Sequence, residues 1–137
     1  YGNGPEKKSI ENFIKTQNLR NIVSLKGFKK DKKSIFKNAD LFINASLWEG
    51  LPNALVQSIN YNVFPICSDA PGGNLEVIKN GKFGKSFKTN DENDLKNKII
   101  EFFNKKFRIN NKSRINHLKK YTEIKSNQKY LEILNKF

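Results

Sequence analysis

The sequence predicts a Rossmann-like parallel α/β sheet with a helical C-terminal tail. Three observations carry that expectation. Strand-like and helix-like runs alternate from the start of the chain to about Phe87. The run Val63–Cys67 is apolar throughout, as a parallel strand covered on both faces requires. From Asp91 onward only helical spacing is found. The chain also opens at a strand end, with no room for the strand itself. It therefore reads as a single domain over residues 1–137 that is N-terminally incomplete, the C-terminal piece of something longer.

The elements follow in order. Tyr1–Pro5 is the end of a strand running into a turn, and Pro5 suits a first helical turn. Ile10, Phe13 and Ile14 repeat at helical spacing through about Gln17. Ile22–Leu25 reads as a short strand ended by Gly27. Ser34–Ala39 reads as a short helix with Ile35 and Phe36 inward. Leu41–Asn44 is a strand. Pro52 to about Tyr61 is a helix that buries Leu55, Val56 and Ile59. Lys85–Phe87 is one more short strand, after a turn bracketed by Gly81 and Gly84. Leu95, Ile99, Phe102 and Phe103 mark an amphipathic helix capped by Asp91 or Asn93. Ile115 and Leu118 mark another helical segment. A last helix runs from Ser126 to Phe137, with Tyr130, Leu131, Ile133 and Leu134 as its apolar positions.

Composition narrows the function. The 137 residues are 36% hydrophobic but include eleven Phe and four Tyr, which is not a disordered profile. No apolar run approaches the ~20 residues of a membrane helix. Cys67 is the single cysteine, so a disulfide framework is excluded, and its apolar strand makes it a small buried hydrophobe. The net charge is +13, almost all from Lys; the arginines are Arg20, Arg108 and Arg114. Such charge fits an anionic partner: nucleic acid, an anionic membrane surface or a phosphorylated substrate. The lysines are scattered along the helices without interleaved Arg and aromatics, so most read as a solvated surface and nucleic acid is not expected.

The chemistry concentrates in Ala45–Gly84. Glu49 stands between a strand and a helix, where a carboxylate can accept hydrogen bonds from sugar hydroxyls. It reads equally well as an ordinary loop acid. Gly50 permits close backbone approach. The first amides of the helix after Pro52 lack partners and can receive a phosphate or sugar oxygen. Asp69-Ala-Pro-Gly-Gly73 follows the apolar strand. Its glycines either expose N–H groups to an anion or make a tight turn. Glu76 just beyond serves as a cap, a salt-bridge partner or a ligand contact. His117, in a Lys-rich helix, reads as a surface residue, and Trp48 as core packing or a pocket wall. No His-rich or paired-Asp spacing suggests a metal site.

Together, SLWEGLPNALVQSI and VFPICSDAPGGNLEVIKNGKFG resemble the C-terminal half of a retaining GT-B glycosyltransferase of family 4, the glycosyl transferases group 1. Gly2–Pro5, Val23–Gly27, Ala39–Ile43, Tyr121-Thr-Glu and Tyr130-Leu-Glu extend the resemblance over essentially the whole chain. It implies a GT-B C-terminal domain that binds a nucleoside diphosphate sugar, a UDP-sugar first among them. Glu49, the catalytic-site residue, would bind donor-sugar hydroxyls. The backbone of Gly50, Leu51, Pro52, Asn53 and Ala54 would contact the sugar and diphosphate. Gly27 and Phe28 would line the base pocket, and Asp69, Gly72 and Gly73 would shape the cleft floor. No metal or other cofactor is implied.

Two departures stand out. Gln57 occupies the place of the family's second Glu, the partner of the ribose hydroxyls. An amide still accepts but carries no charge, and charge-assisted bonds are roughly twice as strong. The family's first strand–helix–strand, with the Arg/Lys pair that holds the diphosphate, would precede Gly2, as would the acceptor-binding N-terminal domain. The isolated chain is thus expected to be inactive. The implied acceptor is a glycan or lipid-linked sugar in bacterial surface polysaccharide synthesis. The implied location is cytoplasmic, peripheral at the inner face of the cell membrane. The competing reading is a non-catalytic basic module that binds an anionic membrane or nucleic acid.

Overall fold

The structure is a computed structural model that describes residues 1–105, 107 and 110–136. It divides into two units, Tyr1–Asn38 and Ala39–Phe137.

In the first unit, α1 spans Lys7–Thr16 and buries Ile14, while Ile10 and Phe13 stay exposed. The strand expected at Ile22–Leu25 is absent. The Ile22 and Val23 amides instead donate to the Leu19 carbonyl at 2.9 and 2.8 Å, closing a turn. An extended run becomes a strand only when a neighbour takes its backbone groups, and these residues pair with none among those described. Likewise Tyr1–Gly4 forms no strand, although the Gly2 amide reaches the Gly27 carbonyl at 2.8 Å. Helix α2 spans Lys32–Phe36, earlier than the Ser34–Ala39 expected. Asp31 caps it, its carboxylate accepting the Lys33 amide at 3.0 Å.

The second unit is built on a parallel sheet of β1 (Leu41–Asn44), β2 (Phe64–Ser68) and β3 (Lys85–Phe87), in that order. Leu41 lies opposite Phe64 and Asn44 opposite Cys67. Ile66 lies opposite Lys85 and Ser68 opposite Phe87. Helices α3 (Asn53–Asn60), α4 (Asn74–Val77), α5 (Glu92–Lys105), α6 (Asn111–Leu118) and α7 (Glu123–Leu134) complete it, with a 3-10 turn at Lys119–Tyr121.

Strand β2 is buried at every position, and its alternating side chains feed two cores. Cys67 joins Leu55, Ile59, Val77, Ile78 and Phe83 under α3, α4 and α6. Phe64 and Ile66 join Phe87 and Phe102 under α5, with the Phe64 and Phe102 rings stacked at 5.2 Å. Each such fully buried side chain contributes about 1.5–3 kcal/mol. Asp91 caps α5 by accepting the Asp94 amide at 2.9 Å.

The tail holds two surprises. His117 is buried, not on the surface. Its Nε2 donates to the Val77 carbonyl at 2.7 Å and its ring stacks on Phe83 at 4.5 Å. A lysine-rich stretch reports local charge but not which way a single side chain of the helix faces. Arg114 of the same helix donates to the Ile59 carbonyl at 2.9 Å and to that of Asn60, satisfying the C-terminus of α3. Helix α7 starts three residues before Ser126, where Thr122 caps it, and buries no side chain; Tyr130, Leu131, Ile133 and Leu134 are exposed. Phe137, expected at its end, lies outside the described residues.

Burial pushes the Cys67 thiol up to about 12, with the Asp69 charge adding to the effect. Only the thiolate attacks a thiol reagent, so labelling at neutral pH should track denaturant unfolding. Prompt labelling of the native chain would contradict the packing of β2. Burial also lowers the His117 imidazole below its ordinary 6.5. The Val77 bond opposes that shift, Lys120 and Lys79 reinforce it, and Glu76 opposes it. Folded His117 therefore stays neutral where the unfolded chain takes up a proton. Its stabilising contribution is complete above the unfolded value and is lost as pH falls through the folded one. His117→Gln keeps a donor for Val77 without the titration. Denaturant melts between about pH 7.5 and about pH 5 should show a shallower pH slope for it than for the parent chain.

Candidate functional site

Parallel pairing brings the C-terminal ends of β1 and β2 side by side, so the loops that follow them emerge at one edge. Those loops, residues 45–52 and 69–73, bond to each other. The Glu49 amide donates to the Pro71 carbonyl at 3.2 Å, and the Gly73 amide donates to Glu49 and Gly50 carbonyls at 3.3 and 3.0 Å. The result is a one-residue parallel bridge between Glu49 and Gly72.

Both glycines are required by that approach. Gly72 has φ +116°, and a β-carbon there would lie 1.6 Å from the Glu49 carbonyl oxygen. A β-carbon on Gly73 would lie 2.5 Å from the Gly50 oxygen and 2.9 Å from Pro52 Cδ. The Gly73 N–H is committed to this contact, so the loop acts as a close backbone brace.

Above the brace sits the Glu49 side chain, half-buried. Its Oε1 accepts from the Ser46 hydroxyl at 2.7 Å and from Asn44 Nδ2 at 3.4 Å. Asn44 Nδ2 also reaches Asn74 Oδ1 at 3.4 Å. Asn74 is fully buried and donates to the Ser68 carbonyl at 3.1 Å and its hydroxyl at 3.3 Å. The Ser68 hydroxyl closes the circuit on the Ser46 carbonyl.

Helix α3 begins beside this carboxylate. Pro52 is its N-cap residue and is buried, and no side chain caps the helix. Its first amides, at Asn53 and Ala54, lack intrahelical acceptors, and both residues are exposed. Gln57 is half-buried about one turn further on, and Leu51 is exposed. Trp48 is 76% exposed and Leu47 62%, so Trp48 does not pack in the core. Its neighbours in the brace fix the backbone and leave its ring outside.

Asp69 has a different task. Its carboxylate accepts the Thr89 hydroxyl at 2.7 Å and the Thr89 amide at 2.8 Å, tying the end of β2 to the loop after β3. Those bonds, with the charge of Lys88, hold it below the ordinary carboxylate value.

The structure therefore brings together Glu49, Gly50, Leu51, Pro52, Asn53, Ala54, Gln57, Gly72 and Gly73. Gly27 and Phe28 lie in the unit Tyr1–Asn38; Gly27 has φ +64°, and Phe28 is exposed with the Lys32 ammonium 5.8 Å from its ring. Sequence reasoning missed Asn44, Ser46, Ser68 and Asn74. Their signal was polar residues at the ends of two apolar strands and directly after Gly-Gly. Among the described residues no three His, Cys, Asp or Glu side chains converge as metal ligands. No helix among them is long and apolar enough to cross a membrane.

Residues 1–125 match the protein family described as Glycosyl transferases group 1. The chain is 29% identical over 94 residues to the N-acetylgalactosamine-N,N'-diacetylbacillosaminyl-diphospho-undecaprenol 4-alpha-N-acetylgalactosaminyltransferase of Campylobacter jejuni, covering 69% of this chain and 26% of that protein. It is 30% identical over 89 residues to the UDP-Gal:alpha-D-GlcNAc-diphosphoundecaprenol alpha-1,3-galactosyltransferase of Escherichia coli, covering 65% of this chain and 23% of that protein. Among solved structures it is similar to the apo form of the lipopolysaccharide outer core galactosyltransferase WaaB, with a TM-score of 0.83 at 15% identity. That likeness covers 99% of this chain and 40% of the other, and it shows the GT-B fold. The chain spans about a quarter of the length of these two curated relatives.

Gly72→Ala should destabilise the second unit by about 2–4 kcal/mol, combining a strained φ with a backbone clash. A denaturant melt checks it; an unchanged midpoint would mean that the two loops do not close as described.

Proposed function

This chain belongs to the glycosyl transferases group 1 family, and from that membership we propose that it is the donor-binding half of a retaining glycosyltransferase. The observation that carries the reading is the placement of Glu49. A half-buried carboxylate stands at the C-terminal edge of a parallel sheet, beside the uncapped start of α3. Open α/β sheets bind nucleotides at that edge. A carboxylate there suits sugar hydroxyls, and free helix amides suit a diphosphate.

In this reading the donor is a nucleoside diphosphate sugar, with UDP-sugars the first to test. Support comes from the names of relatives, among them a transferase that uses UDP-Gal. Glu49 holds hydroxyls of the sugar. The backbone of Gly50, Leu51, Pro52, Asn53 and Ala54 meets the sugar and the phosphates. Gln57 takes the ribose hydroxyls with neutral hydrogen bonds. Gly72 and Gly73 hold the Glu49 loop at its height.

During transfer the bond from the anomeric carbon to the diphosphate oxygen breaks. A new bond forms to an acceptor hydroxyl oxygen on the same face of the sugar, and its proton passes to the departing diphosphate oxygen. Cationic side chains and the amides at the start of α3 stabilise the charge that develops on the leaving diphosphate, and in this reading the step uses no metal. The acceptor, a glycan or lipid-linked sugar, is met by a second half of the enzyme. Work on a lipid-linked acceptor puts the enzyme in the cytoplasm against the inner membrane face, where the +13 charge assists.

A charged hydrogen bond of the Glu49 kind is worth about 1.5–3 kcal/mol. Glu49→Ala in the full-length enzyme should therefore lower sugar transfer at least tenfold, by roughly the factor that energy implies. Unchanged turnover would remove Glu49 from the site.

A further inference from the structure

Every hydrogen bond to the Glu49 carboxylate converges on Oε1; among the described residues Oε2 accepts none. One oxygen is held, and the other has no hydrogen-bond donor among the described residues. We propose that Ser46, backed by Asn44 and Asn74, positions the Glu49 carboxylate for the donor sugar. This inference rests on the sugar-binding reading of Glu49.

The polar sense of the chain of bonds is set far from the carboxylate. Asn74 Nδ2 lies 3.1 Å from the Ser68 carbonyl oxygen, which can only accept. Turning the Asn74 amide over would set two oxygens against each other in a fully buried place. Asn74 Oδ1 must therefore face Asn44, and Asn44 must answer with its nitrogen. That nitrogen has two hydrogens, one for Asn74 and one for Glu49 Oε1. Asn44 Oδ1 is then turned toward the Ser46 hydroxyl at 2.8 Å.

Ser46 is the direct holder. Its Oγ lies 2.7 Å from Glu49 Oε1 and 2.8 Å from Asn44 Oδ1, with a single hydrogen for the two. The two acceptors share that hydrogen, and the charged one draws the stronger bond. Its backbone is fixed in turn, because the Ser46 carbonyl accepts the hydroxyl of buried Ser68. The carboxylate is thus referenced to the end of β2, the most buried strand, by way of the end of β1. Holding a binding group in one orientation before the ligand arrives lowers the ordering cost of binding.

The test measures the gain in affinity that the sugar adds. Calorimetry on the full-length protein compares UDP and GDP with UDP-galactose, UDP-N-acetylglucosamine and GDP-mannose. Ser46→Ala should reduce the sugar-dependent gain about 3–10-fold and leave nucleotide affinity unchanged. Ser46→Thr, which keeps the hydroxyl, should restore it. In a Glu49→Ala background Ser46→Ala should have no further effect. Asn44→Leu, which removes the more distant bond, should give a smaller loss in the same direction.

If Glu49→Ala abolishes the sugar gain while Ser46→Ala does not touch it, positioning by Ser46 is overturned and the Glu49 reading stands. Equal losses for nucleotide and conjugate would make Ser46 a structural residue only, which also overturns it. If Glu49→Ala leaves the gain intact, or the parent protein binds no conjugate better than its nucleotide, the Glu49 reading fails and the inference falls with it.

Discussion

A β-carbon on Gly72 would lie 1.6 Å from the Glu49 carbonyl oxygen, so the two loops meet as closely as neighbouring strands. That contact decides the shape of the sheet edge. It extends the β1–β2 pairing past the last strand residues and fixes the backbone on which Glu49 is carried. It also packs Gly73 against Pro52, which sets where α3 begins. The carboxylate and the open helix start are adjacent because both are tied to the same brace.

Beneath the edge, the scaffold is held by ordinary burial. Strand β2 is covered on both faces, and its alternating residues serve two separate cores. Polar atoms inside such a sheet are tolerated only when paired; a buried amide without a partner costs about 1–3 kcal/mol. Asn74 and Ser68 meet that demand by bonding each other and the neighbouring strand end. The same bonds that satisfy them reach Glu49 through Asn44 and Ser46. Apolar packing thus supports a polar circuit, and the circuit ends at the Glu49 carboxylate. Around it Leu47, Trp48 and Leu51 remain exposed.

Much of this was legible in the residues. Leu41–Asn44, the apolar run Val63–Cys67 (one residue ahead of the observed Phe64–Ser68) and Lys85–Phe87 announced the strands, and the helices after Pro52 and Asp91 announced themselves by spacing and caps. Glu49, Pro52, Gly72 and Gly73 were visible because their residue types are unusual in that order. Ile22–Leu25 was misread because strand residues need a partner, and partners are not written locally. His117 was misread because a lysine-rich neighbourhood does not say which way one side chain of the helix faces. Of the two readings of Trp48, core packing failed because size and apolarity argue for burial, while its loop is held by backbone bonds that leave the ring outside.

By itself the sequence determined the alternation of strands and helices, the family and the residues that flank Glu49. Those properties follow from short-range spacing and side-chain chemistry, which a linear string records. Tertiary structure alone decided that the paired glycines serve a backbone contact and that Asp69 binds Thr89. It alone decided that Asn44, Ser46, Ser68 and Asn74 converge on one carboxylate. Asn44 and Asn74 are thirty positions apart. They meet because parallel pairing puts both strand ends at one edge, a consequence of the sheet and not of either segment.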